Sequence, residues 1–241
     1  MHARLTILLA ACCVAACAPM VPAPAVAPSQ TPSSFPVDIY RLAVARGEPV
    51  YRIDTARSLV VVRVYRGGAL ARFGHDHVIA IRDVQGFVLR SATSSAQRAD
   101  VYAPLASLSV DEQALRAQAG FDTQPSQQDI EGTKQNMLEK VLAAGQYPFV
   151  SLRLTDVAGD LPTLTASAAI TLHGRTVTLP IAVALDTPST NQLYARGRFA
   201  IKQTDFGVEP YSLLGGALRV EDRVDIEFEL AATRVPGQAI E

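Results

Sequence analysis

Two histidines one residue apart are the part of this sequence whose side chains could most directly do chemistry. His75 and His77 are two of the four histidines, and they stand in the stretch Gly74-His-Asp-His-Val78. If this stretch is a β-strand, alternation places both imidazoles on one face and Asp76 on the other. Such a pair could chelate a metal ion, hydrogen-bond the polar head of a ligand, or belong to a structural polar network.

A metal site at this pair would need a third ligand, for which His173 and Asp205 are the candidates. Gly74 indicates a turn or bulge before the pair, which would break the alternation that chelation requires. His173 precedes Gly174 between two strand-like runs, a pattern typical of a tight hairpin with left-handed backbone angles. The residues alone leave ligand contact, metal binding and a structural role open.

The sequence has none of the common catalytic or nucleotide-binding motifs. It lacks a Gly-x-Ser-x-Gly elbow, a phosphate-binding loop, a dinucleotide fingerprint and a His-Glu-x-x-His motif. All three cysteines, Cys12, Cys13 and Cys17, lie near the N-terminus, so the rest of the chain has no disulfide and no thiol nucleophile. We therefore predict that the protein is not an enzyme and has no catalytic cofactor.

The N-terminus predicts a lipoprotein signal. Arg4 precedes an apolar stretch from Leu5 to Ala16, which is too short to cross a bilayer and suits a secretory signal. Val14-Ala-Ala-Cys17 resembles a bacterial lipobox, in which the cysteine is acylated and becomes the new N-terminus; the alternative is an ordinary cleavage site with an incidental cysteine. Ala18, rather than an aspartate, follows Cys17, which favours a lipid anchor in the outer membrane on its periplasmic side.

Composition divides the chain into a signal peptide at 1–16, a lipidated cysteine and Pro/Ala-rich linker at 17–50, a domain at 51–232 and a tail at 233–241. Removal of the signal takes away one arginine and no acidic residue, and leaves 21 basic and 23 acidic side chains. No basic cluster occurs, which argues against nucleic acid as a partner. Nothing in the sequence indicates an oligomeric state.

The domain consists of short runs rich in Val, Ile and Leu, which predict an antiparallel meander folded as a barrel or a sandwich. These runs cover 58–65, 75–81, 83–90, 100–110, 149–156, 164–172, 176–186, 193–204 and 219–231. The segment from Gln127 to Ala144 instead has helical spacing, with Ser126 and Asp129 as a capping pair and Gly145 as a stop. A single helix of this kind normally covers a barrel end or a sheet edge.

Four blocks of this domain occur in a recognisable order. They are Tyr-Arg-Ile-Asp at 51–54, VLAAGQYP at 141–148, Leu-His-Gly at 172–174, and Asp-Phe-Gly at 205–207 before a strand rich in Val and Asp. Their order and spacing resemble the YceI-like family over about residues 51 to 232. The family pattern commonly has a histidine in Asp-x-x-His-Ser, where this chain has Arg57, and the Gly-His-x-His stretch is similar to a family variant.

The resemblance implies an all-β fold, a lipocalin-like antiparallel β-barrel of about eight strands with one capping α-helix. It also implies an amphiphilic lipid as partner, of the polyisoprenoid or isoprenoid quinone type, in an apolar cavity. His75 and His77 would then contact the head group near the barrel mouth. The aromatic residues expected to contribute to ligand binding are Phe73, Phe87, Phe149 and Phe199, and Val78 and Ile79 are further candidates for core or cavity.

Two other functions stay open from the sequence. One is a metal-binding protein or metalloenzyme that uses His75, His77 and His173. The other is an envelope scaffold that binds another protein. An exposed apolar patch unrelated to any cavity would favour this function.

Overall fold

The computed structural model describes residues 31–91, 96–236 and 240. The predicted signal peptide, the predicted lipidation site Cys17 and the first part of the predicted linker lie outside the described residues. Within the described ranges, no helix is both long enough and apolar enough to cross a membrane.

The described chain is mostly β-strand, and every run that the sequence predicts as a strand contains one. The strands are β1 (Val50–Ile53), β2 (Leu59–Gly67), β3 (His77–Ile81), β4 (Gln85–Leu89), β5 (Arg98–Pro104), β6 (Ser109–Val110), β7 (Phe149–Ala158), β8 (Thr163–Leu172), β9 (Arg175–Ser189), β10 (Gln192–Lys202), β11 (Ser212–Leu213) and β12 (Leu218–Arg234). The helices are α1 (Val37–Ala45), α2 (Gln113–Ala119) and α3 (Gln127–Asn136), which continues into a π-helical turn (Met137–Val141).

Antiparallel pairing closes the sheet into a barrel. Neighbouring strands follow the order β1, β4, β5, β7, β8, β9, β10 and β12, and β12 pairs back with β1. A second branch of the sheet consists of β2, β3 and β6. Strand β2 pairs with the part of β12 that precedes its pairing with β1, and β3 lies between β2 and β6. The prediction of a lipocalin-like barrel of about eight antiparallel strands is confirmed.

Alternation along the strands gives the barrel an apolar inside. On β2, Val62 faces the interior, while Arg63 forms an outer ion pair with Glu227 at 2.7 Å. On β9, Ile181 is 5% exposed, whereas the neighbouring Ala182 is exposed. Successive side chains of a strand point to opposite faces, so the aliphatic half of each strand encloses a common space.

Helix α3 and its π-helical turn form the predicted capping helix. The Ser126 hydroxyl accepts a hydrogen bond from the backbone N–H of Asp129, and the Asp129 carboxylate accepts one from the backbone N–H of Ser126. This reciprocal cap starts the helix as the sequence predicts. Met137 and Leu142 then pack against a buried cluster that includes Val110 of β6. Because no pairing joins β6 to β7 in the described sheet, the helix covers this gap.

A two-residue turn joins β8 to β9, as predicted from the Leu-His-Gly block. Leu172 pairs with Arg175, and the two residues between them, His173 and Gly174, have φ angles of 51° and 74°. A Cβ atom at Gly174 would lie 2.6 Å from the ring of Tyr147, so only glycine fits here. The imidazole of His173 packs against the same ring at 4.9 Å between centroids.

Part of the predicted linker instead forms α1, which packs on the outside of the barrel. Tyr40 is fully buried, with its ring 5.2 Å from that of Phe87, and its hydroxyl donates to Asp100 at 2.6 Å. Burial opposes ionisation of Asp100, but hydrogen bonds from Arg98, Tyr40 and Arg153 outweigh it and hold the pKa of Asp100 below its ordinary value. Helix α1 is therefore held by both apolar packing and a buried carboxylate.

The Asp-Phe-Gly block places Phe206 entirely within the core, where it packs with Ile170 and Phe228. We expect Phe206→Ala to lower the free energy of unfolding by about 3 to 5 kcal/mol, because it removes buried apolar area and leaves a cavity. Urea denaturation would measure the change. Phe73→Ala is the matched control: Phe73 is 65% exposed, and the same substitution there should cost less than about 0.5 kcal/mol. Equal effects would contradict this assignment of the core.

Candidate ligand-binding cavity

The barrel encloses a cavity of about 460 Å³. This volume falls within the range of about 300 to 1,000 Å³ that is typical of small-molecule sites. Most of its lining is aliphatic and comes from β2, β3, β5, β7, β8, β9, β10 and β12. Representative lining residues are Val60, Val62, Val64, Ile79, Ile81, Val101, Leu152, Leu154, Ile170, Ile181, Ile201, Ile226 and Leu230.

One end of the barrel is filled and the other is lined by polar groups. At the filled end, a buried cluster contains Tyr51, Ile53, Leu193 and Ala232. At the opposite end, where Gly67 of β2 pairs with Arg219 of β12, the lining becomes mixed. Its members there include Arg66, Phe73, His75, His77, Thr133, Asn136, Tyr211, Leu213 and Arg219. We refer to this end as the mouth.

Both predicted histidines line the cavity at the mouth. His77 is the first residue of β3, opposite Val64, and His75 lies in the loop that precedes the strand. Their rings are 6.2 Å apart between centroids and are steeply inclined to each other. The intervening Asp76 accepts a hydrogen bond from the backbone N–H of Arg66 at 2.9 Å, which ties the loop to β2.

A buried carboxylate holds His77 in place. The Nδ1 atom of His77 lies 2.6 Å from Oδ2 of Asp111, whose side chain is fully buried. The other oxygen of Asp111 accepts from the backbone N–H of Val78 at 3.0 Å and from Arg116 of α2 at 2.6 Å. Arg116 donates in addition to the carbonyl of Thr123. The whole group is built from three separate segments of the chain.

The electrostatics of this group determine which atom His77 presents to the cavity. Burial disfavours the charge on Asp111, but hydrogen bonds from His77, Val78 and Arg116 outweigh it and place the pKa of Asp111 below its ordinary value. An ionised carboxylate only accepts hydrogen bonds, so Nδ1 of His77 carries the proton. In the neutral imidazole, Nε2 is then a free acceptor for a ligand.

His75 offers a second unsatisfied group. Its Nδ1 atom is buried and has no hydrogen-bond partner among the described residues. An unpaired buried polar atom costs free energy unless a ligand or water satisfies it. His77 therefore presents one open hydrogen-bonding position at the mouth, and the unpaired Nδ1 atom of the nearby His75 is buried.

The four phenylalanines predicted at the site separate into two groups. Phe199 and Phe73 line the cavity, Phe199 on β10 and Phe73 at the mouth. Phe87 instead packs against Tyr40 under α1, and Phe149 packs against Tyr102 at 6.0 Å; neither is among the cavity-lining residues. In β7 the inward position belongs to Val150, the neighbour of Phe149, because side chains alternate. Of the aliphatic candidates, Ile79 lines the cavity and Val78 packs outside it with Leu115 of α2.

The structure does not bring the three proposed metal ligands together. His75 and His77 are at the mouth, while His173 is in the β8–β9 turn against Tyr147 and does not line the cavity. Over the described ranges, no group of three or more His, Cys, Asp or Glu side chains is arranged to hold a metal ion. The partner of His77 is the carboxylate of Asp111, which is already shared with Arg116.

A closed antiparallel barrel with one open cavity is the architecture of lipocalin-like binding proteins. The family described as YceI-like domain matches residues 51–232. The chain belongs to this family. A search of curated proteins finds no match.

Solved structures share the fold, among them the following two. One is described as a polyisoprenoid binding domain from Saccharophagus degradans implicated in plant cell wall breakdown; it has 13% sequence identity and a TM-score of 0.55, and the match covers 77% of this chain and 98% of that one. The other is BcnA of Burkholderia cenocepacia, with 17% identity, a TM-score of 0.56, and coverage of 75% and 99%. At these identities the likeness concerns the fold.

Sequence reasoning missed the residues that orient the histidines. Asp111 and Arg116 lie 34 and 39 positions after His77. Asp111 directly follows β6 and Arg116 is in α2, and neither belongs to a motif. The signal that could have pointed to Asp111 is its place in the Val-Asp-Glu stretch directly after a predicted strand. Its backbone φ of 58° suits aspartate better than most residues.

We expect Asp111→Asn to lower the free energy of unfolding at pH 7 by about 3 kcal/mol, because it leaves the buried Arg116 charge without its carboxylate. The pKa of Asp111 is depressed on folding, so its contribution is complete above the unfolded value of about 3.9 and is lost as the pH falls towards the folded value. Urea denaturation at pH 7 and at pH 3 should therefore show a smaller difference at pH 3.

The control for this variant is Asp122→Asn. Asp122 pairs with Arg66 but its side chain is 69% exposed, so the variant should cost under about 1 kcal/mol. A difference between Asp111→Asn and the natural chain that stays constant with pH would contradict the assignment of an ionised, hydrogen-bonded carboxylate.

Proposed function

We propose that this protein binds an amphiphilic lipid with a polyisoprenoid tail, a polyprenyl chain or an isoprenoid quinone, in the barrel cavity. The observation that carries the proposal is a cavity with aliphatic walls and a filled far end, whose mouth is lined by two histidines, one of them oriented by a buried carboxylate. The name of the related domain from Saccharophagus degradans, a polyisoprenoid binding domain, supports this ligand class.

The tail would lie along the aliphatic wall. Branched side chains such as Val62, Ile181 and Ile226 supply this wall, and burial of apolar surface contributes about 25 cal/mol per Å². Binding of this kind requires neither a nucleophile nor a metal ion. We therefore infer a carrier or binding protein rather than an enzyme.

The head group would lie at the mouth against His75 and His77. Arg66 also lines the mouth, but its guanidinium already donates to the carbonyl of Gly74 at 2.9 Å and to both carboxylate oxygens of Asp122 at 2.9 and 3.0 Å. Arg66 is thus already paired. The Nε2 atom of His77 is an acceptor, which suits a head group that donates a hydrogen bond. We infer a hydroxyl head group.

We further propose that the barrel is attached to the outer membrane through acylated Cys17 and faces the periplasm. The lipobox-like Val14-Ala-Ala-Cys17 and the Ala18 that follows it support this location. Globomycin-sensitive processing and acylation of Cys17, measured by mass spectrometry of the mature N-terminus, would test it. An N-terminus cleaved elsewhere and free of acyl groups would contradict it.

The cavity proposal is tested by filling the cavity. We expect Ile181→Trp to abolish co-purification of an isoprenoid lipid, measured by mass spectrometry of organic extracts, because the indole occupies the path of the tail. Ala182→Trp is the matched control: it places the same side chain on the exposed outer face of the same strand and should retain the lipid. Val62→Phe provides a second, smaller filling variant. Lipid retained in folded variants of both cavity positions would refute the proposal.

The head-group proposal is tested by comparing two ligands of similar tail. We expect His77→Leu to weaken binding of a polyprenol about ten-fold, the effect of losing a hydrogen bond of about 1.4 kcal/mol. Binding of squalene, which has no hydroxyl, should change little. Displacement of a fluorescent fatty probe measures both. An equal loss for the two ligands would show that His77 acts through the shape of the cavity and not through its Nε2 atom.

A further inference from the structure

Three exposed apolar side chains surround the mouth. Phe73 is 65% exposed, Leu213 47% and Leu214 75%, and they are three of the five exposed large hydrophobic residues among those described. The other two, Leu42 and Leu161, lie on α1 and before β8. We call Phe73, Leu213 and Leu214 the mouth rim.

The mouth rim belongs to two loops that are held together. The backbone N–H of Leu70 donates to the carbonyl of Ala217 at 2.8 Å, which joins the loop before Phe73 to the loop after Leu214. Leu213 is fixed further by β11, where it pairs with Leu218 of β12. Backbone hydrogen bonds thus fix the two loops that carry the exposed side chains.

The mouth rim is continuous with the cavity. Phe73 and Leu213 both line the cavity and are both exposed to solvent, whereas Leu214 lies outside the cavity lining. An apolar tail could therefore leave a bilayer and reach the cavity without crossing water. A scaffold protein is instead expected to have an exposed apolar patch that is not connected to a cavity.

Basic side chains accompany the mouth rim. The Arg72 guanidinium lies 4.6 Å from the ring centroid of Phe73 and forms no ion pair among the described residues. Arg219 is 54% exposed, with its acidic neighbour Glu221 at 3.6 Å. The third cation, Arg66, is neutralised by Asp122. A cationic side chain next to an exposed aromatic ring is complementary to the phosphates and the acyl boundary of an anionic bilayer.

We propose that the mouth rim docks on the surface of an anionic lipid bilayer. Phe73, Leu213 and Leu214 enter the boundary between head groups and acyl chains, and Arg72 contacts the phosphates. This proposal rests on the proposed function in one respect, since docking places the mouth where the lipid ligand enters and leaves. It assigns the exposed apolar side chains to a membrane rather than to a protein partner.

The chain contains no tryptophan, so one introduced indole reports a single position. In the full chain, Leu214→Trp places the probe on the mouth rim but outside the cavity lining, so quenching cannot come from lipid inside the barrel. Leu42→Trp is the matched control on α1, where the leucine is 59% exposed. Both variants are mixed with vesicles of phosphatidylcholine and one third phosphatidylglycerol, with and without brominated acyl chains.

We expect a blue-shifted emission and quenching by brominated lipid for Leu214→Trp, and neither change for Leu42→Trp. Adding Arg72→Gln should raise the vesicle concentration needed for half-quenching about five-fold, the effect of one basic residue near an anionic surface. An unquenched indole in Leu214→Trp, or equal quenching of both variants, would overturn the proposal. The first result would leave a protein partner as the occupant of the mouth rim.

The same preparations separate this proposal from the proposed function. Isoprenoid lipid in organic extracts together with an unquenched Leu214→Trp indole would retain lipid binding and reject docking. Quenching without any bound isoprenoid would retain docking and reject the ligand. Phe73→Ser in the Leu214→Trp background provides a further check. Removal of a second apolar side chain of the mouth rim should weaken quenching several-fold, and the protein should stay folded because Phe73 is 65% exposed.

Discussion

The pairing of β12 on both of its edges is the constraint on which the barrel depends. One edge pairs with β10 over the whole length from Gln192 to Lys202, and the other pairs with β2 and then with β1. This arrangement brings the last strand of the domain against the first and removes the open edge that a meander would otherwise leave. In a closed barrel the inward side chains can pack only against one another, so they enclose a common space. The cavity is a consequence of closure combined with medium-sized aliphatic side chains that do not fill it.

Two buried carboxylates stabilise separate parts of this barrel. Asp100 lies outside the wall and fastens α1 through Tyr40, while Asp111 lies beside the mouth and orients His77. Each is surrounded by arginine and hydrogen-bond donors, since a buried charge is tolerated only when its lone pairs are satisfied. The outer group stabilises the fold, and the inner one leaves an imidazole nitrogen facing the cavity.

The sequence predicts the strands and the capping helix well, because both depend on local patterns. A run rich in valine defines β2, and Ser126 with Asp129 starts α3 through a capping box. Side-chain placement is harder to predict, because an apolar residue such as Phe87 or Phe149 can pack either inside the barrel or against an element outside it. The pairing of Asp111 with His77 joins segments 34 positions apart, and the position of Asp111 directly after a predicted strand does not indicate which side chain it contacts. Helix α1 is not predicted, because it lies in the predicted linker, whose prolines indicate an irregular spacer.

Helix α1 also determines where the preceding chain reaches the barrel. Phe35 packs on Tyr102 at 4.9 Å, and the hydroxyl of Thr31 lies 3.0 Å from that of Tyr102, so the first described residues run along the outer wall at β5. Thr31 follows Cys17 by 14 residues, which span at most roughly 50 Å. If Cys17 is acylated, this segment would therefore be a short tether between the barrel and the membrane. Encounters of the barrel with its own membrane would occur at an effective concentration in the millimolar range, so even a weak contact would be occupied much of the time.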